Sequence, residues 1–508
     1  MTSRINWKAS LSLTGTITKW LAIALLLPLF VAIYYGDPLL PFIITMGIAL
    51  FIGSFFERLD PDPHMSLRDS FLMLVLAWIT VACIGAIPYL IATAGTTSTL
   101  ASPINALFES VSGFTTTGAT VIGDLSADHY TPSILLWRQF TQWLGGMGIV
   151  VLALAIIPEL SPGGARLLDA EAPGPRIKKL TPRIAETARF FWIVYLGITF
   201  LEVFLLYGLH IIGLAPNMDF YNALCHGFTT LASGGFSPAA RSIETFSAAV
   251  QWVIIPFMIA SGTNFALFFH FLKGDRKIFL KDKEFKYYFI LIGIIATIFT
   301  ILFLNSNFSG SAFQQTTILT TVRHAIFQTV SVVTTTGYVS FDFTILSLPV
   351  QYLLLFCMFI GGSIGSTSCS IKILRWIVIL KSLRKNLFSL IHPNAVLPLR
   401  FNDSIYDDSE IKKIHAFTLL FILIFAISTI FVVLDASRVG INLSLLEAMG
   451  AVAATLGNFG PSFGPSGPMG NYLLFPWTSK LYMSILMIAG RLEIFPLIVL
   501  LTRAFWKS

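Results

Sequence analysis

Charge is scarce in this chain. Only 12% of its 508 residues are Asp, Glu, Lys or Arg, against roughly 25% in a soluble domain. An ordinary soluble fold is therefore excluded. Cysteine is scarce too: Cys83, Cys225, Cys357 and Cys369 are the four, each in an apolar segment. They show neither paired loop positions nor metal-ligand spacing, so neither a disulfide framework nor a transition-metal site is expected. Short alternating strands are missing, which argues against a closed barrel. The helices hold no convergent acid, base or metal cluster, and no linker is large enough for an enzyme domain. A membrane-embedded enzyme is therefore the remotest reading.

What the chain has instead is apolar length. It is 55% hydrophobic, and stretches long enough to cross a bilayer recur from residue 20 to residue 502. A polytopic all-α membrane protein in a lipid bilayer is expected. The net charge of +7 does not point to nucleic acid, because 27 of the 33 lysines and arginines crowd into alternate loops and the two ends. That bias places those loops and both termini on the cytoplasmic side. The first apolar run, Trp20 to Tyr35, lacks a small-residue cleavage site. A second span follows it after Gly36-Asp37-Pro38, so it reads as a mature helix.

One short pattern occurs four times, with Gly118, Gly235, Gly337 and Gly460 at its end. Counting back 13 positions gives Asn105, Asn222, His324 and Glu447, each followed by Ala and then Leu, Ile or Met. The triplets before the glycines are Thr115-Thr116-Thr117, Ala232-Ser233-Gly234, Thr334-Thr335-Thr336 and Gly457-Asn458-Phe459. Most are polar or small, and packing between helices does not ask for that. The simpler reading, small residues at helix contacts, accounts for the glycines but not for the triplets.

Helices are expected near 19–35 and 38–56 as an N-terminal hairpin. Four units of helix, short segment, polar turn and helix follow. Their helices lie near 71–94 and 132–157, 190–214 and 247–272, 286–305 and 347–380, and 414–435 and 475–502. Their short segments are 104–114, 221–231, 323–333 and 446–456. Each has about 10 residues, too few to cross about 30 Å of hydrocarbon. As re-entrant segments they leave every basic loop on one side. The expected fold is about 10 transmembrane helices and 4 re-entrant pore loops around one pore. Its parts are an N-terminal hairpin (1–65), repeats at 66–160, 161–276 and 277–385, and a connector with the fourth repeat (386–508). The Pro- and Gly-rich residues 158–184 and the stretch 383–413 read as cytosolic loops.

Four re-entrant turns around an axis can ring a dehydrated cation with main-chain oxygens, and glycine permits backbone that a Cβ would oppose. The hydroxyls of Thr116, Thr117, Ser233, Thr335 and Thr336 have two open readings: further ligands, or supports bonded to neighbouring backbone.

Phe114-Thr115-Thr116-Thr117-Gly118-Ala119-Thr120 resembles the first filter segment of the Trk/Ktr/HKT superfamily of cation transporters. Gln142-Trp143-Leu144-Gly145-Gly146-Met147-Gly148 resembles a helix of its TrkH-type subgroup. Ser233-Gly234-Gly235-Phe236-Ser237 and Asn458-Phe459-Gly460-Pro461 resemble that subgroup's second and fourth filter segments. The resemblance covers nearly the whole chain, the N-terminal hairpin included. It implies potassium uptake across the cytoplasmic membrane through a channel-like pore gated from the cytosol, with K⁺ as the transported ion and no organic cofactor on this chain. It implies a K⁺ filter at Thr116, Thr117, Gly118, Ser233, Gly234, Gly235, Thr335, Thr336, Gly337, Asn458, Phe459 and Gly460. It also implies a homodimer, one pore per subunit, and a cytosolic nucleotide-binding regulatory ring as partner. The fourth segment departs from the Thr-rich pattern, which leaves its hydroxyl ligands open. The competing reading is a coupled carrier, K⁺/H⁺ or K⁺/Na⁺ symport with alternating access, but four like-oriented units differ from the two inverted halves of a carrier.

A gate is expected below the filter. Gly361-Gly362-Ser363-Ile364-Gly365-Ser366-Thr367-Ser368-Cys369-Ser370 interrupts a long apolar helix and should unwind where it lines the pathway. In the resemblance it is a mobile loop that blocks the path; a small-residue helix contact is the alternative. Arg491 lies in the last helix and reads either as a barrier to cations, acting with that loop, or as a snorkelling or paired arginine. Asp60-Pro61-Asp62-Pro63-His64 reads as a surface turn rather than a metal site. Asp124, Asp128, Asp219 and Asp342 read as an outer rim that concentrates cations or is merely solvated. Glu202 reads as a structural acid or a proton relay. His226 stands where the first repeat has Glu109, a difference that the sequence does not explain.

Overall fold

Two helical segments precede the repeats. In the computed structural model, which describes residues 5–60, 65–125, 130–148, 184–304, 317–394, 397–402 and 404–507, the first begins at Trp7 rather than near residue 19. It runs as α1 (Trp7–Ala24) and α2 (Leu26–Tyr35), and α3 (Leu40–Glu57) returns. Hydropathy misses the early turns because they are rich in Ser and Thr. Those hydroxyls are buried and bonded, Ser10 to the Asp69 carbonyl at 2.9 Å and Thr14 to the Ser10 carbonyl at 2.9 Å.

The four repeats follow in order. The first holds α4 (Leu67–Gly85), α5 (Ile87–Ala92), α6 (Pro103–Phe114) and α7 (Pro132–Met147). The second holds α8 (Ile184–Ile211), α9 (Phe220–Leu231), α10 (Ala248–Ser261) and α11 (Phe265–Leu272). The third holds α12 (Lys283–Leu304), α13 (Ile318–Val333), α14 (Leu348–Cys357) and α15 (Ile373–Ile391). A hairpin of β1 (Leu399–Phe401) and β2 (Ser404–Tyr406) leads to the fourth, with α16 (Asp408–Arg438), α17 (Leu445–Leu456), α18 (Trp477–Arg491) and α19 (Phe495–Leu500). The part of the helix expected near 132–157 beyond residue 148, the linker at 158–184 up to residue 183, most of the turn at 60–64, and Asp128 lie outside the described residues.

The short segments form as helices of 12, 12, 16 and 12 residues. At 1.5 Å per residue each spans about 18 to 24 Å, short of a bilayer core. Their starts are set by capping. Asp219 accepts the Asn222 N–H at 2.8 Å, and Ser444 and Glu447 form a reciprocal capping box.

Their packing is cyclic. Each of these short helices contacts helices of its own repeat, and three also contact one helix of the repeat before: α9 meets α7, α13 meets α10, and α17 meets α14. The ring closes where α6 of the first repeat meets α18 of the fourth.

Among the described residues, six helices are long and apolar enough to cross a membrane, and up to seven if α10 and α11 count as one span. The six are the hairpin helices and the first helix of each repeat. The straight helices expected near 247–272 and 475–502 are broken instead. Between α10 and α11 the chain bends by 95°. The cause is tertiary: the Gly262 carbonyl accepts the Ser363 N–H at 2.9 Å, and Phe265 N–H donates to the Gly365 carbonyl at 3.0 Å. Between α18 and α19 the break carries Glu493 and Ile494 at φ +54° and +65°. Exposed apolar side chains such as Phe51, Phe204 and Leu419 form the outer surface suited to lipid.

Candidate ion pathway

Each of the four short helices α6, α9, α13 and α17 ends in the same turn. The residue two before the glycine has a left-handed backbone: Thr116 φ 54°, Ser233 55°, Thr335 55° and Asn458 53°. The glycines follow at φ 81°, 76°, 81° and 94°. In each repeat the intervening N–H returns to a carbonyl near the helix end: Thr117 to Ser112, Gly234 to Thr229 and Thr336 to Ser331, each at 2.9 Å, and Phe459 to Ala454 at 2.8 Å. Those bonds satisfy carbonyls that the helix would otherwise leave open.

The glycines are also the contacts between repeats. A Cβ on Gly118 would meet the Gly234 oxygen, one on Gly235 the Thr336 oxygen, one on Gly337 the Phe459 oxygen, and one on Gly460 the Thr117 oxygen. Every approach is closer than 3.0 Å and every obstacle is backbone. Each glycine therefore abuts the carbonyl just before the glycine of the next repeat, and the fourth closes on the first. All twelve predicted filter residues (Thr116, Thr117, Gly118, Ser233, Gly234, Gly235, Thr335, Thr336, Gly337, Asn458, Phe459 and Gly460) lie in this ring.

The hydroxyls fall into two groups. Thr117 and Thr336 lie within 2.8 and 2.7 Å of Thr115 and Thr334, whose own hydroxyls bond the Val111 and Val330 carbonyls of α6 and α13. They are turn supports. Ser233 and Thr335 face the loop between α14 and α15 instead, and Thr116 faces Arg491. Thr335 Oγ1 accepts the Cys369 N–H at 2.9 Å, Ser233 Oγ pairs with Thr367 Oγ1 at 2.9 Å, and Thr116 Oγ1 accepts from Arg491 at 3.2 Å. Asn458 donates to Thr117 Oγ1 at 2.8 Å and to the Met487 carbonyl at 2.9 Å, tying the fourth turn to the first.

The loop is irregular but closed. Gly361 N–H reaches the Ile371 carbonyl at 2.9 Å, and Gly362 N–H reaches Ser368 Oγ at 3.0 Å. Ser366 Oγ donates to the Ser363 carbonyl at 2.7 Å, and Gly365 sits at φ +77°. Ser363 Oγ has no partner among the described residues. Arg491 is bound to this loop and to the first repeat: Nη1 donates to the Thr367 carbonyl at 2.8 Å, and Nη2 to the Gly146 carbonyl at 2.6 Å and to that of Gly145. A guanidinium holding this many carbonyls is placed, not snorkelling.

Side chains from outside the four turns brace the ring. Gln142 spans the second turn, donating to the Gly234 carbonyl at 2.6 Å and accepting the Phe236 N–H at 3.0 Å. Tyr472 donates to the Gly460 carbonyl at 2.8 Å. Glu109 and Arg138, 0% and 3% exposed, pair at 2.6 Å. Glu109 also accepts from Thr120 Oγ1 and Val121 N–H, both at 2.9 Å. His226 does the matching work in the second repeat, with Nε2 3.1 Å from Ser237 Oγ. Thr120 and Ser237 both stand two residues past the glycine, so acid and imidazole hold equivalent strands. Arg138 pairs with Glu109 and also donates to the Ser237 carbonyl at 3.2 Å, so it bridges the first and second repeats. Glu202 is fully buried, with neither oxygen bonded among the described residues. Asp219 and Asp342 are N-caps.

Comparison with known proteins gives a consistent pattern. The family profile TrkH, described as cation transport protein, matches residues 42–507. The chain is 35% identical to Trk system potassium uptake protein TrkH of Vibrio parahaemolyticus, covering 99% of this chain and 100% of that one. It is 33% identical to the protein of that name from Escherichia coli K12, over 99% and 100% of the two chains. Among solved structures, the potassium transporter TrkH from Vibrio parahaemolyticus superposes with a TM-score of 0.84 at 32% identity, covering 99% of this chain and 100% of that one.

Proposed function

The chain belongs to the TrkH family of cation transport proteins, and from that membership we propose that it carries K⁺ into the cell through a channel-like pore. It is a transporter and not an enzyme. The filter is the ring of Thr116-Thr117-Gly118, Ser233-Gly234-Gly235, Thr335-Thr336-Gly337 and Asn458-Phe459-Gly460. The gate is the loop with Gly361, Gly362, Ser363, Gly365 and Ser366, together with Arg491.

One observation carries the reading: the cyclic contact of each glycine with the next repeat's carbonyl. Such a ring brings four backbone stretches to one axis at one level. Main-chain oxygens there can replace the water lost by K⁺. The pore-helix C-termini add favourable negative potential where they point at that axis. Arg491 and the loop lie against the ring's Thr116, Ser233 and Thr335, so a fixed positive charge stands in the path until they move. The membrane potential supplies about 2.3 kcal/mol per charge per 100 mV, enough to concentrate K⁺ without a second ion.

The rest of the reading is a cytoplasmic-membrane protein with both termini inside. It has an N-terminal hairpin (1–65), repeats at 66–160, 161–276 and 277–385, and a connector with the fourth repeat (386–508). The subunit works as a homodimer with a cytosolic nucleotide-binding ring as its regulator. The relatives named Trk system potassium uptake protein support a membrane location and a partner within such a system; the boundaries, the homodimer and the nucleotide-binding ring rest on the resemblance read from the sequence.

The test is ion flux in liposomes for K⁺, Rb⁺ and Na⁺. Gly118→Ser should lower the K⁺/Na⁺ ratio, because its Cβ meets the Gly234 oxygen. Gly95→Ala is the control, since Gly95 shares a positive φ but has nothing within 4 Å. An unchanged ratio in Gly118→Ser would falsify the filter assignment.

A further inference from the structure

The loop between α14 and α15 is held from two directions, and only one of them involves the filter. Ile364 points the other way. Its side chain is buried in a separate apolar cluster with Leu374, Val378, Leu399, Phe401, Tyr406 and Ile411. Leu399, Phe401 and Tyr406 come from the small β-hairpin in the connector. Its pairing is Leu399 with Tyr406, Arg400 with Ile405 and Phe401 with Ser404. Alternation gives the hairpin a buried face of Leu399, Phe401 and Tyr406 and an outer face where Ile405 is 57% exposed.

The same hairpin is fastened to the start of α12. Asn402, at its tip with φ +49°, donates to Asp282 Oδ2 at 3.1 Å and accepts the Lys283 N–H at 3.1 Å. The next residue, Glu284, is 7% exposed and accepts the Ile364 N–H at 2.8 Å. Three consecutive residues, Asp282, Lys283 and Glu284, therefore bind the hairpin tip and the loop side by side. Lys381 of α15 adds a bond to the Arg400 carbonyl at 2.8 Å.

A two-stranded hairpin of three residue pairs has little stability of its own. It persists here because its apolar face is covered by Ile364 and the neighbouring helices. Its release is thus a local opening and does not require the bundle to unfold. Releasing it would also remove the apolar cover of Ile364.

We propose that this hairpin and Glu284 are the cytosolic latch of the 361–372 loop, with Ile364 as the point of attachment. Docked, they hold the loop against Thr335, Ser233 and Arg491; undocked, they let it leave the pathway. The inference rests on the reading of that loop as a gate. Glu284 acts as a positioning residue through Ile364 and touches no ion.

The test is basal K⁺ flux of the full chain in liposomes, normalised to folded protein. Phe401→Ala, Ile364→Ala and Glu284→Ala should each raise it by roughly 10-fold, the population shift expected for losing one buried hydrogen bond or its apolar equivalent. Glu284→Gln should stay near the parent, since its amide oxygen still accepts the Ile364 N–H. Arg491→Ala tests the gate separately. If Arg491→Ala raises flux and the three latch variants do not, the latch is wrong and the gate stands. If neither raises flux, both fall. Amide exchange on the parent chain decides if the variants do not fold: residues 363–365 and 399–406 should open together, and unrelated rates overturn the proposal.

Discussion

Thr335 Oγ1 accepts the main-chain N–H of Cys369 at 2.9 Å, so the third turn of the ring is bonded directly to the loop beneath it. Ser233 and Thr116 make matching contacts, to Thr367 and to Arg491. The ring and the loop are thus one hydrogen-bonded unit in this conformation. A change in the loop must be felt by three of the four turns.

Thr335→Val keeps the shape and removes the acceptor. The buried Cys369 N–H is then unpaired, at a cost of about 1–3 kcal/mol to this loop position. Basal K⁺ flux should rise, and Thr335→Ser should restore it. Liposome flux of the two variants, side by side, checks this; equal flux in both counts against the bond as a restraint.

Arg491→Ala should raise K⁺ flux per folded molecule, because it removes both the charge and the contacts to Thr367, Gly145 and Gly146. Arg491→Lys should be intermediate, since an ammonium keeps the charge but cannot span those carbonyls. Single-channel recording distinguishes longer openings from larger steps.

Glu109 and Arg138 are a buried pair. Removing one partner, as in Arg138→Met, should lower stability by about 3–5 kcal/mol, whereas Glu109→Gln with Arg138→Met should recover part of it. Thermal melting in detergent gives the double-mutant cycle. Additive losses would show that the two side chains act independently.

Gly235→Ala should reduce K⁺ flux far more than Gly95→Ala. Both glycines have φ near +76°, so backbone strain is shared. Only Gly235 has a neighbour's carbonyl, that of Thr336, in the space a methyl would take. Comparable losses in both would point to strain alone.

The sequence made much of the fold legible. The short segments expected at 104–114, 221–231, 323–333 and 446–456 form as helices at Pro103–Phe114, Phe220–Leu231, Ile318–Val333 and Leu445–Leu456. They were readable because short apolar length and the repeated terminal glycine are local signals. The loop at 361–370 was readable for the same reason: consecutive Gly and Ser cannot hold a helix. The 95° bend after Ser261 was not, because Gly262-Thr263-Asn264 is only weakly helix-breaking by itself. The bend exists because Ser363 and Gly365 bond to it. Asn458 reads as an odd substitution in a Thr-rich pattern, yet its amide stitches the fourth turn to Thr117 and Met487. The hairpin at 399–406 was hidden too, since each strand has only three residues.

By itself the sequence determined the membrane class, the four-fold repetition and the positions of the four glycines, since composition and spacing are properties of the chain alone. Only the tertiary structure decided that the repeats close into a ring, which carbonyl each glycine meets, and which hydroxyls support turns and which hold the loop. Those depend on contacts between segments far apart in the chain, and no local pattern encodes the partner of a backbone oxygen.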